Sequence, residues 1–157
     1  MAELRFPLFF DLTGRPVKVF GGGAIALRRV TVLLRFDACV TVVSPEFLPE
    51  LEALSAEYPA KLQLRRGCYA PGDMIGAFFV LACTGDNEVN HRIAEEARER
   101  HIFVNNAADQ RDNDFSFPAI ATKEGISVGI CGTGRDHTAV RRTAKQIRSI
   151  ISEGETP

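Results

Sequence analysis

Short apolar runs and helical patterns alternate along the first two thirds of the chain. Val17-Lys18-Val19-Phe20 stops at Gly21-Gly22-Gly23, and a helical segment follows to about Phe36. Val40-Thr41-Val42-Val43 ends at Ser44-Pro45. From Glu46 a second helical stretch runs to about Tyr58, ahead of a weaker strand at Leu62-Gln63-Leu64. Phe78-Phe79-Val80-Leu81-Ala82-Cys83 is almost continuously apolar, the pattern of a parallel strand covered on both faces. Within Asn87–Arg100, Val89, Ile93 and Ala97 recur four apart on one helical face, and Ile102-Phe103-Val104 reads as the next strand. Strand, helix and strand in this rhythm predict an α/β fold built on a doubly wound parallel sheet.

The rhythm then changes. Phe117–Ala121 and Ile126–Ile130 are β-like runs joined through Lys123-Glu124-Gly125, a connection so short that the pair must be antiparallel. Thr138–Ile151 is helical, with Val140, Ala144, Ile147 and Ile151 as its apolar stripe. With no repeat or linker, the chain reads as one domain. Its sheet portion spans residues 1–115, a hairpin-and-helix portion 116–151, and a polar tail 152–157.

Composition narrows the function classes. Nineteen basic residues against twenty acidic ones leave a net charge of −1, so no global field draws the chain to nucleic acid or to an anionic membrane. Glu3 and Arg5 interrupt the apolar opening Met1–Phe10, which is also far shorter than the roughly 20 residues a bilayer requires. A cytoplasmic chain without a leader is expected. Cys39, Cys68, Cys83 and Cys131 show no CxxC or other ligand spacing and read as reduced core thiols. His91, His101 and His137 share no ligand spacing, so no metal is assigned.

Gly21-Gly22-Gly23-Ala24-Ile25-Ala26 lies where a dinucleotide fingerprint belongs, between the first strand and the first helix of a Rossmann-like sheet. Gly21 supplies the tight turn, a side chain at Gly23 would stand between backbone and pyrophosphate, and Ala26 lets the helix lie close. The helix N–H groups of Ala24 and Ile25 and the positive helix end then face the phosphates. The second strand ends in Ser44-Pro45 with no acid, so Ser44 is left to hydrogen-bond the adenosine ribose. No arginine is seen at that strand end for a 2′-phosphate, which favours NAD over NADP.

Two further clusters fall at the carboxyl edge, where open α/β sheets bind ligands. Thr84 and Gly85 follow the fourth strand, and Asp86 or Asn87 caps the next helix. Asn105, Asn106 and Asp109 follow the fifth, near the expected nicotinamide. Asp109 is either a base for the proton released on oxidation or simply a turn residue.

Taken in order, these segments resemble the N-terminal domain of siroheme synthase and its single-function relatives, the precorrin-2 dehydrogenases. The carriers are Phe6-Pro7-Leu8-Phe9, Gly21-Gly22-Gly23 with Ala26 and Arg28-Arg29, and Val42-Val43-Ser44-Pro45. They continue with Thr84 through Asn90, Asn106-Ala107-Ala108-Asp109, and Phe115 through Ile120. The resemblance implies NAD-dependent oxidation of precorrin-2 to sirohydrochlorin, sometimes joined to insertion of ferrous iron. It implies Asp109 as the catalytic residue, although an ungapped alignment sets Ala108 under the family's aspartate. It also implies a homodimer contacted through the hairpin and last helix, and a pocket for a carboxylate-rich tetrapyrrole. Family members carry a Ser/Gly-rich turn where this chain has Gly132 through His137. Arg135, His137 and Arg141 are the basic groups expected near the substrate carboxylates. The competing class is a non-catalytic module that binds NAD or a tetrapyrrole.

Overall fold

The computed structural model describes residues 5–133 and 137–152. Two compact units divide the chain, Phe10–Phe115 on one hand and Met1–Phe9 with Ser116–Pro157 on the other. The larger unit runs β1 (Pro16–Phe20), α1 (Ala24–Arg35), β2 (Cys39–Ser44), α2 (Pro49–Glu57), β3 (Leu62–Arg66), β4 (Phe79–Ala82), α3 (Asn87–Glu99) and β5 (Phe103–Asn106), with a 3-10 turn at Gln110–Asp112. The smaller unit contains β6 (Ala119–Lys123), β7 (Ile126–Ile130) and α4 (His137–Ser152).

The five strands of the larger unit lie in the order β3-β2-β1-β4-β5, and every neighbouring pair is parallel. All their carboxyl ends therefore share one edge. The direction of winding reverses between β1 and β4, which opens a crevice at that edge. Right-handed crossovers set α1 and α2 on one face of the sheet and α3 on the other. On the α3 side, Phe20, Val43, Val80, Ala82 and Val104 from the strands meet Ile93, Ala94 and Ala97 from the helix, with Met74 closing the cluster. α1 buries Ala26, Val30, Leu33 and Leu34 on the opposite side. β4 is buried along its whole length, as its unbroken apolar run predicted.

Several boundaries depart from the sequence pattern for identifiable reasons. Residues 46–48 lie outside the helix, with a bend at Pro45 and Glu46. Pro49 opens α2 at its first turn and holds Leu48 at φ −60°, ψ 142°. β3 extends two residues beyond Leu64, so Arg66 stands in register with Ser44 at the end of β2. An arginine therefore does flank that strand end, contrary to the linear reading. Only Cys83 of the four cysteines is buried; Cys39 is partly covered and Cys68 and Cys131 are exposed, so the thiols are free but not all of the core.

In the smaller unit, β6 and β7 pair antiparallel through Glu124-Gly125, with φ of 50° and 78°. Both residues lie in the left-handed region that two-residue hairpin turns require. Ala144 is buried against this hairpin, and Arg148 reaches the Ile120 carbonyl at 3.0 Å. Among the described residues, no helix is long and apolar enough to cross a membrane.

Candidate functional site

The glycine turn sorts its residues into structural and open positions. Gly21 has φ 115°, and a Cβ there would collide with the Cys83 carbonyl at the end of β4. At Gly22 a Cβ would overlap the Glu46 carbonyl and come within 3.0 Å of Ser44 Oγ. The 46–48 segment thus crosses directly over Gly22, where Leu48 N donates to the Gly22 carbonyl at 3.0 Å. Gly23 is different. A Cβ there meets nothing within 4 Å, and its φ of −90° suits any residue.

Gly23 is also the N-cap of α1. No side chain caps that helix, and its first turn carries no acid. Its leading N–H groups and positive end therefore face outward, uncompensated, from a spot the fold leaves empty. Such a cradle fits a diphosphate. Ala24 and Ile25 are exposed beside it, Ile25 to 44%. Ser44 is buried at 7% and Pro45 is exposed. Arg66 lies over the Phe47 ring at 5.4 Å and donates to Glu52 at 2.5 Å, so its charge is already matched. Arg29 is buried behind the turn with Nη1 3.5 Å from Cys83 Sγ; burial lowers its pKa and raises that of the thiol.

Asparagine side chains fix the β4–β5 end of the edge. Asn90 is fully buried; its Oδ1 accepts from Thr84 N at 3.1 Å, and its Nδ2 donates to Thr84 O at 3.1 Å. Asp86 caps α3 by accepting from Glu88 N and Val89 N. Asn106 is 1% exposed, and its amide serves its own loop: Oδ1 accepts from Ala108 N at 2.9 Å and Nδ2 donates to Asp112 at 2.9 Å. These bonds fix the loop that leaves β5 at the edge where the sequence reading sets the cofactor. Asn105 faces elsewhere, donating to Phe115 O at 2.7 Å.

Asp109 lies between these groups and solvent, its side chain 18% exposed. Arg111 clamps both carboxylate oxygens, with Nη2 at 2.6 Å and Nε at 3.1 Å. That clamp, with the Arg111 backbone N–H, holds its pKa down to about 2. Asp112 accepts from Arg98 at 2.7 Å, and its other oxygen lies 2.5 Å from His91 Nδ1. Burial opposes its ionisation, but the Arg98, Asn106 and His91 contacts outweigh it and lower its pKa. His91 Nε2 is 3.9 Å from Asp109.

His91 and Asp112 were not paired by the sequence reading, because they sit on separate elements with no motif linking them. His91, Asp109 and Asp112 each offer a ligand atom within 4.8 Å of the others. Two guanidinium groups already engage the carboxylates, and we assign the trio no cation. Arg135 and the His137 side chain lie outside the described residues; Arg141 is exposed on α4. A groove of about 580 Å³ lined by Lys18, Thr41, Gln63 and Arg65 lies over the face of β1–β3, away from the glycine turn.

A parallel sheet of this order, with an uncapped helix rising from a glycine turn at its switch point, defines a dinucleotide-binding α/β domain of Rossmann type. The chain belongs to the family described as putative NAD(P)-binding, whose model matches residues 8–119. It is 41% identical over 148 residues to the probable multifunctional siroheme biosynthesis protein HemA of Ruminiclostridium josui, covering 93% of this chain and 28% of that protein. It is 37% identical over 145 residues to siroheme synthase 1 of Cronobacter sakazakii, covering 92% and 30%. The chain thus spans about a third or less of the length of these curated relatives. The solved structure of SirC, a precorrin-2 dehydrogenase, superposes with a TM-score of 0.77 at 28% identity, covering 93% of this chain and 71% of that one.

Two measurements test the site. Gly23→Ala should leave stability within about 1 kcal/mol, as for an ordinary N-cap change, yet weaken NAD binding roughly tenfold or more. Gly22→Ala should instead lower the denaturation midpoint through the Glu46 collision; equal stability losses in the two variants would contradict this division. In acid, the carboxylates of Asp109, Asp112 and Glu96 are all held below their ordinary range. Glu96 is lowered despite burial, by hydrogen bonds from Tyr69, Gly72 and Arg100. Depressed carboxylates stabilise the fold fully above their unfolded pKa of about 4. That stability is lost as pH falls toward the folded values, about 2 for Asp109. Thermal melts should therefore hold steady above that range and drop steeply below it.

Proposed function

We propose that this chain oxidises precorrin-2 to sirohydrochlorin with NAD, as a cytoplasmic homodimer acting on a carboxylate-rich tetrapyrrole. The observation that carries the reading is the empty cradle above Gly23 at the uncapped start of α1. The relatives named above supply the substrate class. Gly23, Ala24 and Ile25 bind the diphosphate through backbone amides, above the turn that Gly21 and Gly22 shape. Ser44 and Pro45 border the adenosine, and Thr84 lines the approach to the nicotinamide. NAD is favoured over NADP because the Arg66 guanidinium is already paired with Glu52.

When bound, NAD supplies a hydride acceptor. The protein's part is to hold the ring, exclude water and take up one proton. Asp109 lies at the reacting edge and stays ionised, so it favours positive charge developing beside it. The two-stranded β6–β7 sheet offers an edge for a second copy. Asp109 is clamped by Arg111 and ionised far below neutral pH, which lends some support to the competing reading, a module that binds NAD or a tetrapyrrole without turnover.

Incubation with precorrin-2 and NAD should yield the sirohydrochlorin spectrum with one NADH per ring. Asp109→Asn should keep NADH affinity and lower kcat by roughly 100-fold. Tight binding without product over long incubation would select the binding module. Metal uptake by supplied sirohydrochlorin, independent of NAD, would reveal a chelatase.

A further inference from the structure

Oxidation of the ring must deliver a proton somewhere, and the carboxylate at the reacting edge is poorly suited to receive it. Both oxygens of Asp109 accept hydrogen bonds from Arg111. A base ionised so far below neutral pH has little drive to accept a proton.

His91 stands beside it. α3 is pinned to the end of β4 by the Asp86 cap and the Asn90–Thr84 pair, and His91 follows Asn90 directly. From the other side, Asn106 at the end of β5 holds Asp112, and Arg98, two turns along α3, holds its other oxygen. Asp112 is thereby fixed from two elements and sits 2.5 Å from His91 Nδ1. A carboxylate at that distance favours the hydrogen on Nδ1, which leaves the lone pair of the neutral imidazole on Nε2. The ring is 45% exposed, and Nε2 lies 3.9 Å from Asp109.

We propose that His91 Nε2 accepts the proton released in the oxidation, with Asp112 as its positioning residue and Asp109 as counter-charge to the imidazolium that forms. The inference rests on the dehydrogenase reading above. One ring hydrogen leaves with its electron pair as hydride to the nicotinamide, giving NADH. A second leaves as a proton to Nε2, and the pair it leaves behind closes the new double bond. The charged groups around the imidazole are Asp109 and Arg111 from the turn after β5, Asp112 on Nδ1, and Arg98 on the same helix. Each carboxylate is paired with its own guanidinium, Asp109 with Arg111 and Asp112 with Arg98. Glu88 and Glu95 flank His91 at helical neighbour positions, and the imidazolium that forms is held between Asp109 and Asp112.

Two readouts test the assignment. In the chain labelled with ¹⁵N-histidine, with His91 assigned through His91→Gln, two-bond correlation spectra should show neutral His91 as the Nδ1–H tautomer. The Nε2–H tautomer overturns the proposal whatever the activity. In turnover with precorrin-2 and NAD, His91→Ala should lower kcat by roughly 100-fold or more with NADH affinity unchanged. Added imidazole should restore part of that rate, and should not rescue Asp109→Asn. Undiminished kcat in His91→Ala, or a loss that imidazole leaves unmoved, overturns it. Wild-type chain that binds NADH yet makes no sirohydrochlorin instead sinks the dehydrogenase reading, and this assignment falls with it.

Discussion

Backbone crowding at one turn governs the cofactor end of this protein. The Cys83 carbonyl occupies the direction a Cβ at residue 21 would take, and the Glu46 carbonyl does the same at residue 22. The turn is therefore wedged between the end of β4 and the strap that leaves β2. Gly21 N donates to the Val43 carbonyl at 2.9 Å, which ties the turn to β2 as well. With both glycines trapped, the chain has one way to enter α1, and the uncapped N-terminus is aimed across the switch point. The third glycine owes nothing to packing. A Cβ there would meet nothing within 4 Å, so the start of α1 is left open to close approach.

The opposite end of the edge is built from side chains. Asn90 replaces backbone pairing where β4 stops, and Asn106 does so where β5 stops. An asparagine amide carries both donor and acceptor, so each can satisfy a strand end and a departing loop at once. Both are buried, and leaving either without partners would cost about 1–3 kcal/mol. These amides are how two loops with little apolar content are held accurately enough to set His91, Asp109 and Asp112 against one another.

Much of the fold was legible in the sequence because it follows from periodicity. The apolar run of β4, the four-residue spacing of Val89, Ile93 and Ala97, and the Glu124-Gly125 turn each carry a local signature that the structure realises. What escaped was set by pairing between distant segments. The linear pattern began the second helix at Glu46, whereas α2 opens at Pro49, and the strap this leaves over Gly22 matters only once β1 and β2 are aligned. Arg66 reaches Ser44 because β2 and β3 pair in one register, which no local pattern records. Asp109 was visible as a residue type at the right strand end. Its clamp by Arg111 depends on the short 3-10 turn, whose first residue follows it directly.

The same contrast separates the two tasks of the site. Cofactor binding rests on peptide groups and on missing side chains, so it leaves a local mark in the linear sequence. Proton handling rests on a contact between α3 and the segment after β5, and each partner alone is an ordinary surface residue. A carboxylate near a nicotinamide invites the role of base, but a base must be able to change its charge. Arg111 removes that freedom from Asp109, and Arg98 and Asn106 remove it from Asp112. The imidazole between them carries no such clamp from an arginine: its Nδ1 meets Asp112 and its Nε2 turns toward Asp109 and solvent.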